Sequence, residues 1–367
     1  MLLILSFFIQ SVSASPNPES LRLIQTQPNI REWMTSDQIT QLSQQSHDQG
    51  HCGGFMDVTE HQDTLSDLEL QPFFSFTGKK PSIPSIVNPL LKKISSTQME
   101  QTVRELSAFQ NRYYDGASGV KSSEFIQSRF RANAKPRTDI QVESVTHSFQ
   151  QPSVIARIPG TDPKLSKEII VIGGHQDSIS MDNWFPSPSD RAPGADDNAS
   201  GMATVLEAFR VFSQSGLRPL RTIEFMAYAG EERGLLGSQD IAQRYKREGK
   251  TVVAAFQLDM TMFPGASRKM TFIMDNTNAD LSRFTQSLVN AYVHIAWGEG
   301  QCGYACSDHA SWTAAGYPSV FPFEAAMNER NKHIHSADDT LDILDAAYGA
   351  NYAKLALAFA IELSMVR

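Results

Sequence analysis

The chain has 367 residues, enough for one large domain with an extension or for two smaller domains. Its formal net charge of -8, without any basic tract, excludes the electrostatic footprint of a nucleic-acid binder. No segment reaches the roughly 20 consecutive apolar residues of a membrane span, so a protein soluble after signal cleavage is expected, and a monomer is the expected state.

Residues 2–9, LLILSFFI, are continuously apolar but too short to cross a bilayer. Val12-Ser13-Ala14 follows, a small-residue site of the kind a signal peptidase cuts, so residues 1–14 read as an export signal. A buried N-terminal strand is the alternative. Export places the protein in the extracellular space or a periplasm. Residues 15–80 are rich in Gln, Ser, Asp and His and poor in periodic apolar runs; they close on Gly78-Lys79-Lys80-Pro81 and a connector, SIPSIVNP, that reads as a linker. This stretch is expected to be a pro-segment removed by proteolysis, with a small permanent subdomain as the alternative, which leaves 81–367 as the main domain.

Apolar residues three and four apart predict helices over 97–109 and 122–130. Strands and helices then alternate. EIIVIGG (168–174) is of buried-strand type, and 202–209 has its apolar residues at 202, 205, 206 and 209, on one helical face. A second strand follows at 222–229, a helix at 238–247 and a third strand at 252–258. This alternation implies βαβ crossovers and a mostly parallel sheet covered on both faces, an α/β fold of the three-layer α/β/α sandwich type. The closing segment LALAFAIELSMVR reads as amphipathic.

Three cysteines occur. Cys302 and Cys306 can bridge if the chain turns between them, and an exported protein meets an oxidising compartment, so a disulfide is expected. A two-thiolate zinc site is the rival, but it needs two further ligands that are not nearby. Cys52 is the odd one out.

In open α/β sheets ligands collect at the carboxyl ends of strands. Here the first strand delivers His175-Gln176-Asp177, the second Glu231-Glu232 and the third Asp259. GADDNASG (194–201) adds Asp196 and Asp197, and HIHSADDT (333–340) adds His335. GADDNASG taken alone is also a helix-capping signature, because Asp, Asn and Ser side chains accept bonds from the first free helical N–H groups. So many acids on one rim cannot all stay ionised without cations. Nitrogen and oxygen donors without thiolate suit zinc, with manganese or cobalt as substitutes, whereas a calcium site is all oxygen.

In the order GGHQDS, APGADDNASG, AGEERGLLGSQD, QLDM, CGYACSDHASW and HIHSADDTLD, the motifs resemble those of the secreted M28 metallopeptidases, specifically the leucyl aminopeptidases of bacteria, over roughly residues 80–367. The resemblance implies two zinc ions, one on His175 and Asp259 and the other on Glu232 and His335, with Asp197 bridging them. The family's spacing of His four residues before Asp-Thr selects His335 over His333, since Asp339-Thr340 follows it. It also implies Glu231 as general base, Asp177 orienting His175 and Ser307 orienting His335. An HxD spacing permits the first of these contacts, because a ligating imidazole donates its other N–H to an acceptor. By the same resemblance Met260, Ile273, Cys302, Cys306, Phe321, Phe323, Met327 and Ile334 line the pocket for the first residue, and Tyr304 is a candidate to hydrogen-bond the reacting carbonyl.

The implied activity is hydrolysis of the first peptide bond of peptides with a free N-terminus, favouring Leu, Met or Phe. A glutaminyl cyclase with a single zinc is one alternative, and the paired ligand set and apolar pocket weigh against it. A non-catalytic peptidase-like binding domain would have lost ligands or the base. A carboxypeptidase would need a cation for the substrate carboxylate, and no Arg announces itself. Asn198 stands where some relatives carry a third Asp.

Overall fold

The run expected to be a buried strand divides the interior of the protein. Ile170 and Ile172 enter one apolar layer, and Ile169 and Val171 enter the other. Successive side chains of a strand point to opposite faces, so a continuous β-branched run is what a sheet covered on both sides requires. The computed structural model describes residues 21–27, 29–48, 54–65, 74–183 and 186–367. The expected signal at 1–14 and Cys52 lie outside the described residues.

In chain order the elements are β1 (Arg22–Gln27), β2 (Ile30–Met34), α1 (Ser36–Asp48), β3 (Met56–Asp57), α2 (Pro84–Leu91), α3 (Ser96–Ser107), α4 (Ala117–Ala134), β4 (Gln141–Val145) and β5 (Ser153–Ile158). There follow β6 (Glu168–His175), α5 (Gly201–Ser213), β7 (Thr222–Tyr228), α6 (Leu236–Arg247), β8 (Thr251–Gln257), β9 (Met270–Ile273), α7 (Ala279–Leu288), β10 (Trp297–Gly300), α8 (His309–Ala314), β11 (Ser319–Phe323) and α9 (Ala346–Ser364). Eight strands form the main sheet in the order β10-β9-β11-β8-β6-β7-β5-β4. The pairs joining β11, β8, β6 and β7 are parallel, as is β10 with β9, while β9–β11, β5–β7 and β4–β5 are antiparallel. The sheet is therefore mixed and mostly parallel. Helices α2, α3, α4, α5, α7 and α9 cover one face, and α6 and α8 the other.

Two segments differ from their sequence reading. The connector SIPSIVNP is helical from Pro84 on, with Val87, Leu90 and Leu91 buried. Proline suits the first turn of a helix because its missing N–H would have had no partner there. The buried carboxylate of Glu362 accepts from Ser82 N (2.8 Å), Ser82 Oγ (2.9 Å) and Ile83 N (3.1 Å), which fixes the entry to α2. The C-terminal segment is not an amphipathic surface helix: α9 is buried along nearly its whole length. Its alanines let neighbouring helices and the sheet approach closely on all sides.

The region preceding α2 is more ordered than its polar composition suggests. A three-stranded sheet in the order β2-β1-β3 and helix α1 share a small core of Ile24, Ile39 and Phe55. Leu23, Met56 and Val58 pack on Leu235 and Ala310 of the main body. His61 Nε2 stands 2.9 Å from Asp240 Oδ1, and the buried His147 places Nδ1 2.6 Å from Asp240 Oδ2. Phe76 belongs to the main core, against Phe284 and Phe74, and Arg221 and Lys79 lie over the Phe74 ring. Among the described residues no helix is long and apolar enough to cross a membrane.

Candidate metal centre

Five buried side chains meet at the carboxyl end of the sheet. His175 is the last residue of β6, Asp259 lies two residues beyond β8, and Glu232 sits in a short turn after β7. Asp197 comes from the wide turn Ala195–Ser200 ahead of α5, and His335 from the loop between β11 and α9. They form two groups, His175–Asp197–Asp259 and Asp197–Glu232–His335, each with ligand atoms within 4.8 Å of one another. Asp197 belongs to both. Its Oδ1 is 3.0 Å from His175 Nε2, and its Oδ2 is 3.1 Å from His335 Nε2. His175 Nε2 is also 3.3 Å from Asp259 Oδ1, and His335 Nε2 2.9 Å from Glu232 Oε2.

These residues fit zinc on three counts. Two ligand atoms about 2.0 Å from one tetrahedral zinc stand about 3.3 Å apart, close to the spacings seen here. His335 Nε2 and Glu232 Oε1 are buried without an aligned hydrogen bond, although carboxylate oxygens stand near the imidazole. The donor set is nitrogen and oxygen with no thiolate, since Cys302 and Cys306 are joined as a disulfide. Electrostatics points the same way. Burial pushes the Glu232 carboxyl up to about 7 despite the nearby His335. Asp197 is also buried, but its bonds with His175 and His335 outweigh that and hold it well below the usual carboxylate range. For the two imidazoles burial favours the neutral form, yet the surrounding carboxylates raise both well above the ordinary value.

Glu231 belongs to neither group. It is nearly buried, and desolvation pushes its carboxyl well above the usual range. Asp177 accepts from the backbone N–H of Glu231 and of Glu232, both at 3.1 Å. It also places Oδ1 3.4 Å from His175 Nδ1, a long contact. One carboxylate thus fixes the turn with the two glutamates and stands beside the imidazole, whose Nδ1 has no aligned hydrogen bond. Ser307 does not reach His335: its Oγ donates to Asp259 Oδ2 at 2.6 Å and accepts from Gln257 Nε2 at 2.9 Å. The hydroxyl of Ser307 is therefore engaged by a carboxylate of the other group instead of by His335.

Sequence reasoning missed three supports of the acid loop. Asp339 accepts from Asp196 N (3.1 Å) and Asp197 N (3.0 Å), holding the loop from outside; its place four residues after His335 was the available signal. Asn198 donates to the carbonyls of His175 (3.3 Å) and Leu258 (3.0 Å) and accepts from Gly201 N (2.9 Å) and Met260 N (3.1 Å). The fully buried Arg112 donates to the carbonyls of Gln176, Pro193 and Gly194, and nothing in its local sequence marks it. Glycine is required at both ends of GADDNASG. Gly194 has φ +50, and a Cβ there would run into the Arg112 guanidinium and Ser178, while one at Gly201 would overlap the Asn198 amide.

Beside the acid cluster lies an apolar one. Met260, Ile273, Tyr304, Cys306, Phe321, Phe323 and Ile334 pack together, with Cys302 and Met327 against them. It adjoins the metal groups through Met260, next to Asp259, and Ile334, next to His335. Helix α1 reaches the same place from the other side. The His47 ring stacks on that of His335 with centroids 5.6 Å apart, and its Nε2 lies 3.4 Å from the Ile334 carbonyl.

The model of peptidase family M28 matches residues 153–360. A probable leucine aminopeptidase of Arthroderma benhamiae is 40% identical over 96% of this chain and 95% of its own length. Leucine aminopeptidase 1 of Neurospora crassa is 36% identical over 97% of this chain and 89% of its own. The crystal structure of the LapA aminopeptidase of Legionella pneumophila is similar with a TM-score of 0.83 at 31% identity, covering 95% of this chain and 99% of that one.

Proposed function

The chain belongs to peptidase family M28, and from that premise we propose that it is a di-zinc aminopeptidase that removes large apolar residues from the N-termini of peptides. The observation that carries this reading is Asp197, whose two oxygens each face an imidazole of a different ligand group, at 3.0 and 3.1 Å. In this reading His175, Asp197 and Asp259 hold one zinc, and Asp197, Glu232 and His335 the other. A single-zinc cyclase would leave one of these groups without a purpose.

The chemistry that zinc supplies in such a site is Lewis acidity, which polarises a scissile carbonyl and acidifies water. Glu231 is the proton carrier. Its carboxyl is not a ligand, and its backbone is fixed by Asp177, so it can take a proton from water and return it to the leaving amine. Tyr304 borders the apolar cluster and is placed in this reading to donate its hydroxyl to the reacting carbonyl. Met260, Ile273, Phe321, Phe323, Met327 and Ile334 receive the first side chain, so Leu, Met and Phe are favoured and acidic residues are poor substrates.

In this reading the expected pro-segment, 15–80, is shortened at its end: the residues upstream of Phe74 act as the pro-segment of an exported protein, with 1–14 its signal. Support comes from α1, whose His47 lies against His335 and so covers the approach to the centre. The break is proposed upstream of Phe74, because Phe74 and Phe76 pack with the main body. The test of the activity is release of leucine from a leucyl anilide by the purified protein. It is expected to stop when a chelator has removed the metal and to return with zinc; hydrolysis that continues in metal-free protein refutes the reading.

A further inference from the structure

Resting on that reading of the pocket, we infer that Asp275 is a positioning residue for side-chain selectivity: it holds the disulfide loop where that loop walls the first-residue pocket. The loop runs from Cys302 to Cys306 and contributes Tyr304 and both cysteines to the apolar cluster. The disulfide sets its width, but its place against the sheet is set from the end of β9. Asp275 Oδ2 accepts from Cys302 N at 2.5 Å and from Gly303 N at 3.0 Å. The next residue, Asn276, has φ +51 and donates its side-chain N–H to the Tyr304 carbonyl at 3.2 Å. Bonds from N–H groups to an ionised acceptor are about twice as strong as neutral ones, so the carboxylate is the stronger of the two ties.

The loop is a thin wall. Ile273, Phe321 and Phe323 lie on its pocket side. Asp275, Gly303, Tyr304 and Ala305 also border a separate cavity of about 450 Å³, lined in addition by Gln25 and Met56 of the proposed pro-segment, so removal of that segment opens this side further. A loop freed from Asp275 has space to retreat into. Its far end stays tied, because Ser307, one residue beyond Cys306, donates to Asp259. Releasing Asp275 therefore widens the pocket without loosening the metal ligand. A large apolar side chain loses contact with its wall, while a methyl group, which never reached the wall, loses little.

The test compares kcat and KM for leucyl, phenylalanyl and alanyl anilides between the active zinc-loaded enzyme and its Asp275→Ala and Asp275→Asn variants. Pocket contacts of this kind are worth about tenfold or more per lost methylene, so the leucyl-to-alanyl ratio of kcat/KM is expected to fall about tenfold in Asp275→Ala, with the loss in KM. Asp275→Asn keeps an acceptor oxygen and is expected to fall less. Zinc per chain should equal that of the unsubstituted enzyme in both. An unchanged ratio in Asp275→Ala, whatever its melting temperature, overturns the inference and leaves the aminopeptidase reading standing. An unsubstituted enzyme with no preference for large apolar residues fails the pocket reading itself, and the inference with it.

Discussion

If the two ligand groups each hold a zinc ion as proposed, replacing Ser307 by Ala should weaken the binding of one and spare the other. The Ser307 hydroxyl donates to Asp259 Oδ2 at 2.6 Å in a fully buried setting, and Asp259 is a ligand candidate of one group alone. A buried hydrogen bond to a charged acceptor is worth about 1.5–3 kcal/mol, which at 1.4 kcal/mol per tenfold is about 10–100-fold in a dissociation constant. The same range is typical when the partner that orients a metal ligand is lost. Damage to the fold should be small, because Gln257 Nε2 keeps its 3.0 Å bond to Asp308 Oδ2. Competition of the zinc-loaded protein with a chelator reads both constants. In a His335→Ala background, which cripples the other group, Ser307→Ala should still weaken binding by that factor; in a His175→Ala background it should have no effect. The reverse pattern would mean that Ser307 supports His335, and unchanged constants in both would refute a supporting role altogether.

Glu231→Gln should lower kcat by about 10²–10⁴ with both zinc ions retained, measured by leucyl anilide turnover and metal content; near-normal turnover places the base elsewhere. Phe76→Ala removes a buried ring from the main core and should cost about 3–5 kcal/mol in chemical unfolding, and N-terminal sequencing of the processed protein should begin upstream of Phe74. A stable active product starting beyond Phe76 contradicts that boundary. Burial alone would raise Asp240, but its bonds with His147 and His61 outweigh this and hold it well below the usual carboxylate range. A depressed carboxylate contributes stability above its unfolded value of about 3.9 and loses it as pH falls through the folded value. Asp240→Asn should therefore cost about 1 kcal/mol at neutral pH, a modest figure because the carboxylate is partly exposed, and the gap should close in strong acid when melting curves are compared across pH.

The central strands were legible because a strand covered on both faces must be apolar throughout, and few other structures tolerate runs such as that of β6. The ends of elements were less so. Helix α4 begins at Ala117, five residues before the periodic stretch that announced it, since its first turn carries small residues whose burial depends on neighbours distant in sequence. The segment 355–367 looked amphipathic because Glu362 and Ser364 interrupt its apolar run. Glu362 is buried all the same, satisfied by Ser82, Ile83 and Tyr292, some 70 and 280 residues away. The N-terminal sheet was hidden for a related reason: each of its strands buries only a few residues, and no single strand shows a long pattern.

At the candidate metal centre, the residue types gathered at the strand ends could be read directly, because the carboxyl ends of the strands are where the sheet opens. What holds those ligands could not, because the supports are backbone groups and side chains brought in by the fold. Arg112 lies 63 residues before His175 and acts through carbonyls, which every residue possesses. Ser307 could have served either imidazole or carboxylate, and only the path of the chain after the disulfide decides for Asp259. GADDNASG illustrates how two readings of one stretch can both hold. Asn198 Oδ1 accepts from the N–H of Gly201, the first residue of α5, while Ser200 at the N-cap itself makes no side-chain capping bond. Asp197, one residue before Asn198, takes no part in that bond, and both of its oxygens remain turned toward the imidazoles. The two signatures overlap in these eight residues because neighbouring side chains take separate partners: Asn198 serves the first N–H of α5, and Asp197 faces the imidazoles.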